Sequence, residues 1–425
     1  MKKSIPLNLV LLLTMGLLLI SISVGASDVK NVDIVWFSDA EVETETFTEI
    51  WDNFKNENNY DEYELNLIEI PYGSINDKIK TMVSAGEPPA MARTTDSKVG
   101  EFTNVALDIT EKVGGVESFT NTFAPMLAQY YTSDNKVIAV PMEGTVNGMI
   151  YNKDLFDAAG VKVPDSYDEA WTWDEWEENV NKVIESQNTR YGLVWDYSPH
   201  RFSTLLYSFG GQIFNEDYSE VIINQKEAVE SLEYFKYLAD EKILDSSTWI
   251  GNTDPNNLFR TGQYPIHMCG SWMVGNYNNL SFDWGVMPFP YKNENKENHT
   301  SLGGGKFLLG FEGLDNDIEK VTKEFMLYVS KAKTQQKWVE SIYGLPSNLN
   351  VEPSYAQNNK KMNVFAEQFK NIHPRTSHDW AYQKVMAPLY NDFRSIIASV
   401  LIGDRDPEEG MNKIKSLAED IMSDL

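Results

Sequence analysis

VDIVWFSDAEVETETFTEIWDNF, Val32 to Phe54, contains two different hydrophobic periods. Val32 to Phe37 is a short apolar run, the pattern of a strand buried on both faces. Ser38-Asp39-Ala40 is a polar turn, and Phe47, Ile50, Trp51 and Phe54 then recur at i, i+3, i+4 and i+7, one face of a helix. Tyr63 to Ile70 reads as a second strand. Ser74 stands where it can cap a helix carrying Ile75, Ile79, Met82 and Val83, ended by Gly86 and Pro88-Pro89. Strand, helix, strand, helix with short connections predicts a mainly parallel sheet covered by helices, an α/β fold.

The pattern continues outward. Val137 to Pro141 is a short buried strand, followed by Met142 to Met149 and Ile150 to Lys153. Thr172-Trp173-Asp174-Glu175 is a capping box opening a helix with Trp176 and Val180 on its apolar face. Val229, Leu232, Phe235, Leu238 and Ala239 mark another amphipathic helix. Trp284 to Pro288 and Lys306 to Phe311 are strand-like, and the C-terminal third is mostly helical, its last helix opened by Asp406-Pro407-Glu408. There is no internal repeat and no long linker, so two domains would be joined by short crossings.

Lys2 and Lys3, the apolar run Leu9 to Ile22, and Val24-Gly25-Ala26 have the order of an export signal, with cleavage expected after Ala26. The run is shorter than the roughly 20 residues that span a bilayer. No cysteine follows it, so no lipid anchor is expected, and the single Cys269 forms no internal disulfide. The formal charge of −27 becomes −29 once Lys2 and Lys3 leave, which disfavours nucleic acid and anionic membranes as partners. Eleven Trp and 21 Tyr supply flat faces of the kind that stack on sugar rings.

The order of segments resembles the family 1 extracellular solute-binding proteins, the sugar-binding subunits of ABC importers. VDIVWFSD (Val32 to Asp39) is similar to the family's opening strand, and KTMVSAGEPPAMARTTD (Lys80 to Asp96) to its helix, glycine, proline and following strand. VPMEGTVNGMIYNKDLFDAAGV (Val140 to Val161), followed by TWDEW, is the most specific match. LFRTGQYPIHMCGSW (Leu258 to Trp272), WGVMPFP, LGGGKF, and KEFMLYVSKAKTQQKWVE with YGLP (Lys323 to Pro346) complete the order. One position departs: four residues after the hinge proline, maltose-binding relatives carry glutamate, whereas this chain has Thr145, with a glutamate at Glu143.

The resemblance implies a two-lobed periplasmic-binding fold of type II with crossings near Gly144, Met287 and Gly344. Residues 1–26 would be the signal, 27–144 and 288–343 the N-terminal lobe, and 145–287 and 344–425 the C-terminal lobe. It further implies delivery of a carbohydrate to the permease subunits of an importer, by a chain expected to be a monomer without cofactor; the export signal without a lipid-anchor cysteine fits the periplasm, and the several tryptophans favour an oligosaccharide.

A sugar offers apolar ring faces and a rim of hydroxyls, so its site needs aromatic planes beside carboxylate, amide and backbone groups. Asp39 and Asp96 sit just past strand ends, where a carboxylate either meets hydroxyls or caps the next helix. Trp272 follows Gly270-Ser271 in the segment that, by the resemblance, carries a stacking tryptophan, and is expected on the ligand rather than in the core. Trp36 is open to core or cleft, and Trp195, His200 and Trp380 are further candidates, with Glu143 and Thr145. Gly303-Gly304-Gly305-Lys306 lacks phosphate-loop spacing, and Gly304 and Gly305 read better as backbone approaching a ligand closely. His267 with Cys269, and His373 with His378, lack the further ligands that a metal site needs. A neutral glycan suits the acidic chain better than a uronate, although Arg93 could accept one. The alternatives are a glycoside hydrolase, which needs two carboxylates at a set separation, and a binder of polyamines or peptides.

Overall fold

The computed structural model describes residues 29–251, 253–277, 279–292, 299–354 and 360–425; the expected export signal lies outside them. In these residues the strands are β1 (Lys30–Trp36), β2 (Tyr63–Glu69), β3 (Met91–Thr95), β4 (Thr132–Ser133), β5 (Lys136–Val137), β6 (Ala139–Asn152), β7 (Leu193–Trp195), β8 (Ile266–Gly270), β9 (Trp284–Met287) and β10 (Gly303–Gly310).

β1 is the centre of the first sheet half. It pairs in parallel with β2 on one side and β3 on the other, so its apolar residues are covered throughout. The order runs β2-β1-β3-β10-β6. β10 is antiparallel to both neighbours, which leaves the other four strands pointing one way. The second half is β7-β8-β6-β9, where only β6 opposes the rest. Each half is therefore mainly parallel, as the strand–helix alternation predicts.

The helix Glu41–Asn58 buries Phe47, Ile50, Trp51 and Phe54, the face read from the sequence, and ends where Asn59 turns left-handed at φ 57°. Burying each such side chain contributes about 1.5–3 kcal/mol. Thr172 and Glu175 form the expected reciprocal cap, and Asp406 accepts from the Glu409 amide. Ser74 occupies its cap position without a side-chain hydrogen bond.

β6 decides the architecture. The sequence suggests a short strand ending at Pro141, but the strand runs on to Asn152, 14 residues in all from Ala139. Lys306 pairs with Glu143 and Phe307 with Pro141, so Met142 is the extra residue of a bulge. A proline is tolerated beside a bulge because no ladder donor is required there. Residues Ala139 to Val146 pair with β10, and Asn147 to Asn152 pair with β8 and β9. One strand thus belongs to both lobes. Gly144 also donates to the Leu345 carbonyl at 2.9 Å, so two passages of the chain run side by side there.

Separate cores lie on either side. The first includes Val32, Trp36, Trp51, Leu308, Trp338 and Val351. The second includes Met149, Trp173, Trp195, Phe289, Leu302 and Phe393. Phe289 and Leu302 lie beyond the crossing expected near Met287, and Val351 lies beyond the one expected near Gly344. The chain re-enters the first sheet at Gly303, opposite Val146. Among the described residues no helix is long and apolar enough to cross a membrane.

Candidate functional site

The strand ends converge on a cavity of about 590 Å³ between the two sheet halves, a size usual for small-molecule sites. From the first lobe come Phe37 and Asp39 after β1, Tyr72 and Gly73 after β2, and Thr95 to Lys98 at the end of β3. Glu101, Gly305 and Lys306 complete that wall, and Thr145 adds to it from β6 where that strand passes between the lobes. From the second come Asp196 to Ser198 after β7, His200 and Arg201 at the start of the helix Pro199–Ser208, and Trp272 after β8. The C-terminal ends of five strands therefore face one gap, the usual ligand position in open α/β sheets.

A third wall escapes the sequence reading. Ala387, Tyr390, Asn391 and Arg394 line the cavity from the helix Gln383–Leu401. Their i, i+3, i+4, i+7 spacing is the complement of the core face Met386, Leu389, Phe393 and Ile397. That second periodicity is the signal that could have revealed them.

Beneath the first-lobe wall lies a buried charge network. Arg93, with 0% exposure, donates to both oxygens of Glu43 at 2.7 and 3.0 Å and to the Phe37 carbonyl at 2.8 Å. Lys306 joins Asp39 at 2.6 Å, Glu143 at 2.8 Å and Glu43 at 3.2 Å. Burial alone would lower the Lys306 pKa, but Asp39, Glu143 and Glu43 outweigh it and hold the ammonium well above the ordinary lysine range. Glu143 further accepts from the Trp338 indole N–H at 2.9 Å. Only Asp39 and Lys306 of this network surface in the cavity, so Asp39 is an acceptor fixed from below.

Asp96 and His200 connect the lobes, with Oδ2 and Nε2 3.2 Å apart. Asn147 Nδ2 and Arg201 Nη1 both approach His200 Nδ1, at 3.3 and 3.1 Å. Two donors on Nδ1 place the imidazole proton on Nε2, facing the Asp96 carboxylate. Burial lowers the His200 pKa against the pull of Asp96, which fits a neutral ring. Trp272 lies across Gly270, where a Cβ would come within 2.0 Å of the indole. The Arg201 guanidinium covers its ring at 4.2 Å.

Of the sequence candidates, Asp39, Asp96, Thr145, His200, Trp272 and Gly305 line the cavity. The other five lie behind it. Trp36 is core, packed on Phe47 at 4.3 Å and donating to Thr44. Trp195 is core against Phe235, and Trp380 packs edge-on to His200 at 4.8 Å, buttressing that ring. Glu143 supports Lys306. Gly304 makes room for Asp96, whose carboxylate would lie 2.4 Å from an added Cβ. Arg93 has its guanidinium engaged by Glu43 and does not reach the cavity.

His267 is held by Asp196 at 2.7 Å and Tyr277 at 2.6 Å. Among the described residues no group of three or more metal-ligating side chains gathers. A second hollow of about 540 Å³ lies on the first lobe alone, among the charged ends of Glu57, Lys333, Lys337 and Glu340.

Solved structures with this arrangement are two-lobed solute-binding proteins. An ABC substrate-binding protein from Listeria monocytogenes in complex with cycloalternan superposes with a TM-score of 0.79, at 22% identity over 93% of this chain and 100% of that one. Maltose-bound MalE3 of T. maritima gives 0.76 at 20% identity, over 93% and 100%. The chain belongs to the bacterial extracellular solute-binding protein family, whose pattern it matches over residues 49–364. A maltotriose-binding protein of Pyrococcus abyssi is 25% identical over 214 residues; the match spans 50% of this chain but only 44% of that protein's length. The sn-glycerol-3-phosphate-binding periplasmic protein of Brucella melitensis is 22% identical, over 78% of each chain.

Proposed function

We propose that this protein is the substrate-binding component of an ABC-type importer and captures a carbohydrate between its lobes. The observation that carries the reading is that Asp96 and Trp272, from different lobes, line one cavity. Aromatic faces at Tyr72, Tyr197, Trp272 and Tyr390 alternate there with Asp39, Asp96, Thr145, Ser198 and Asn391, matching the two surfaces of a sugar. The first lobe comprises 29–144 and 303–351, and the second 145–302 and 360–425; Leu345, which packs with second-lobe side chains such as Val146 and Phe365, marks the crossing. β6 and the passage beside Leu345 serve as hinge. Ligand touching both walls favours the closed form by its differential affinity for it.

The protein acts outside the cytoplasm, in the periplasm, as a monomer that presents its closed form to permease subunits. It binds and does not cleave: the named relatives are binding proteins. Polyamine capture is disfavoured, because three of the four carboxylates lining the cavity are already paired with cations (Asp39 with Lys306, Glu101 with Lys80, Asp196 with His267). A calorimetric screen of neutral and acidic oligosaccharides and spermidine, followed by a reducing-end assay, tests the reading. The expected outcome is saturable binding of a saccharide without new reducing ends. Binding of spermidine alone, or cleavage, would overturn it.

A further inference from the structure

Lys98 and Arg394 face the cavity from opposite lobes. Among the described residues neither has a carboxylate within 4.0 Å, in a chain with 63 acidic and 36 basic residues. Three of the four carboxylates of the cavity are taken up by other cations. Asp39 is 2.6 Å from Lys306, Glu101 is 2.5 Å from Lys80, and Asp196 is 2.7 Å from His267. Asp96 lies against the neutral His200.

What the two cations have instead are aromatic faces. Lys98 sits 4.7 Å over Tyr72 and Arg394 sits 4.3 Å over Tyr197, as Arg201 sits over Trp272. Arg394 Nε is also buried without a hydrogen-bond acceptor. Burial lowers the Lys98 pKa, opposed by the more distant Glu101 and Asp77 and assisted by Lys80, the behaviour of an ammonium lacking a close counter-charge.

A neutral sugar reaching for those rings would have to displace the cations and leave them in a partly desolvated gap without an anion. A ligand with its own negative charge removes the conflict: it draws the cations off the rings, pairs with them, and frees the aromatic faces for its apolar side. We propose that the ligand is an acidic saccharide, bearing a carboxylate or phosphate that Lys98 and Arg394 bracket from the two lobes. This rests on the carbohydrate reading above and narrows it. The acidity of the whole chain is no objection, since the surplus of carboxylates lies elsewhere.

The test is calorimetric, on matched pairs differing only in charge. Trigalacturonate is compared with its methyl ester, and glucose 6-phosphate with glucose, at 20 and 200 mM salt. We expect the acidic member of one pair to bind at least tenfold more tightly, with the advantage shrinking as salt rises. Lys98→Gln and Arg394→Gln should each cut the acidic-to-neutral affinity ratio at least threefold, while Lys98→Arg and Arg394→Lys retain it. Which pair responds distinguishes carboxylate from phosphate. Neutral members binding as tightly as acidic ones would overturn the proposal and leave the carbohydrate reading standing, as would a ratio unmoved in both Gln variants. No binding by any member of either pair, or by the wider screen, would sink both.

Discussion

Replacing Gly270 with alanine should disable Trp272 without touching it. A Cβ at Gly270 falls 2.0 Å from Cζ3 and 2.1 Å from Cη2 of the indole. Ordinary carbon contacts are about 3.5–4.0 Å, so the ring must retreat by roughly 1.5 Å or more. The backbone has little room to absorb the clash, because Gly270, the last residue of β8, is paired with Asn147 of β6. The displaced indole loses its position against a sugar face and its contact with Arg201 at 4.2 Å. An aromatic contact with the sugar is worth about 0.5–1.5 kcal/mol, so losing it should weaken ligand binding roughly 2- to 12-fold. Because Trp272 is only half-buried, the fold should lose no more than about 1 kcal/mol. Calorimetry with the tightest saccharide of the screen, beside urea denaturation of the unliganded protein, measures both quantities. In a Trp272→Ala background the Gly270 change should have no further effect on affinity. Unchanged affinity in the single variant, or an equal loss in the Trp272→Ala background, would refute the reasoning.

Glu43→Gln should cost about 3–5 kcal/mol in urea denaturation, because it strips a buried guanidinium of its two-point partner; a loss below about 1 kcal/mol would contradict the network described. Burial by itself would raise the Glu43 pKa, but Arg93 and Lys306 outweigh it and hold the carboxyl well below its ordinary value of 4.5. With the folded value below the unfolded one, this stability is fully present above pH 4.5 and is lost as pH falls through the folded value. The denaturation midpoint should therefore decline on acidification below that point, and less steeply in Glu43→Gln. Gly304→Ala should push the Asp96 carboxylate from the cavity and weaken saccharide binding about tenfold, a change on the order of 1.4 kcal/mol, as read by calorimetry.

The fold was largely legible because it depends on local periods. The VDIVWF run, the Phe47-to-Phe54 stripe and the Thr172 cap all stand where the sequence places them. The extent of β6 was not legible, since a proline normally ends a strand and the bulge that accommodates Pro141 requires the β10 partner. On the cavity wall, Asp39 and Asp96 follow from strand-end position and Trp272 from the family resemblance. Trp36, which the sequence leaves open between core and cleft, and Trp195 turn into the core, an orientation set by packing on Phe47 and Phe235. The cations were beyond reach for a different reason. Whether Arg93 or Arg394 is available to a ligand depends on which carboxylates stand beside it, and Glu43, 50 residues from Arg93 in the chain, is brought there only by folding.

Diffraction from a co-crystal with the tightest saccharide found by calorimetry addresses the interlobe site directly. The expected density lies between the Trp272 indole and the Asp96 carboxylate, in contact with both lobes. Density seated on one lobe alone, for example in the hollow beside Lys337, would contradict it.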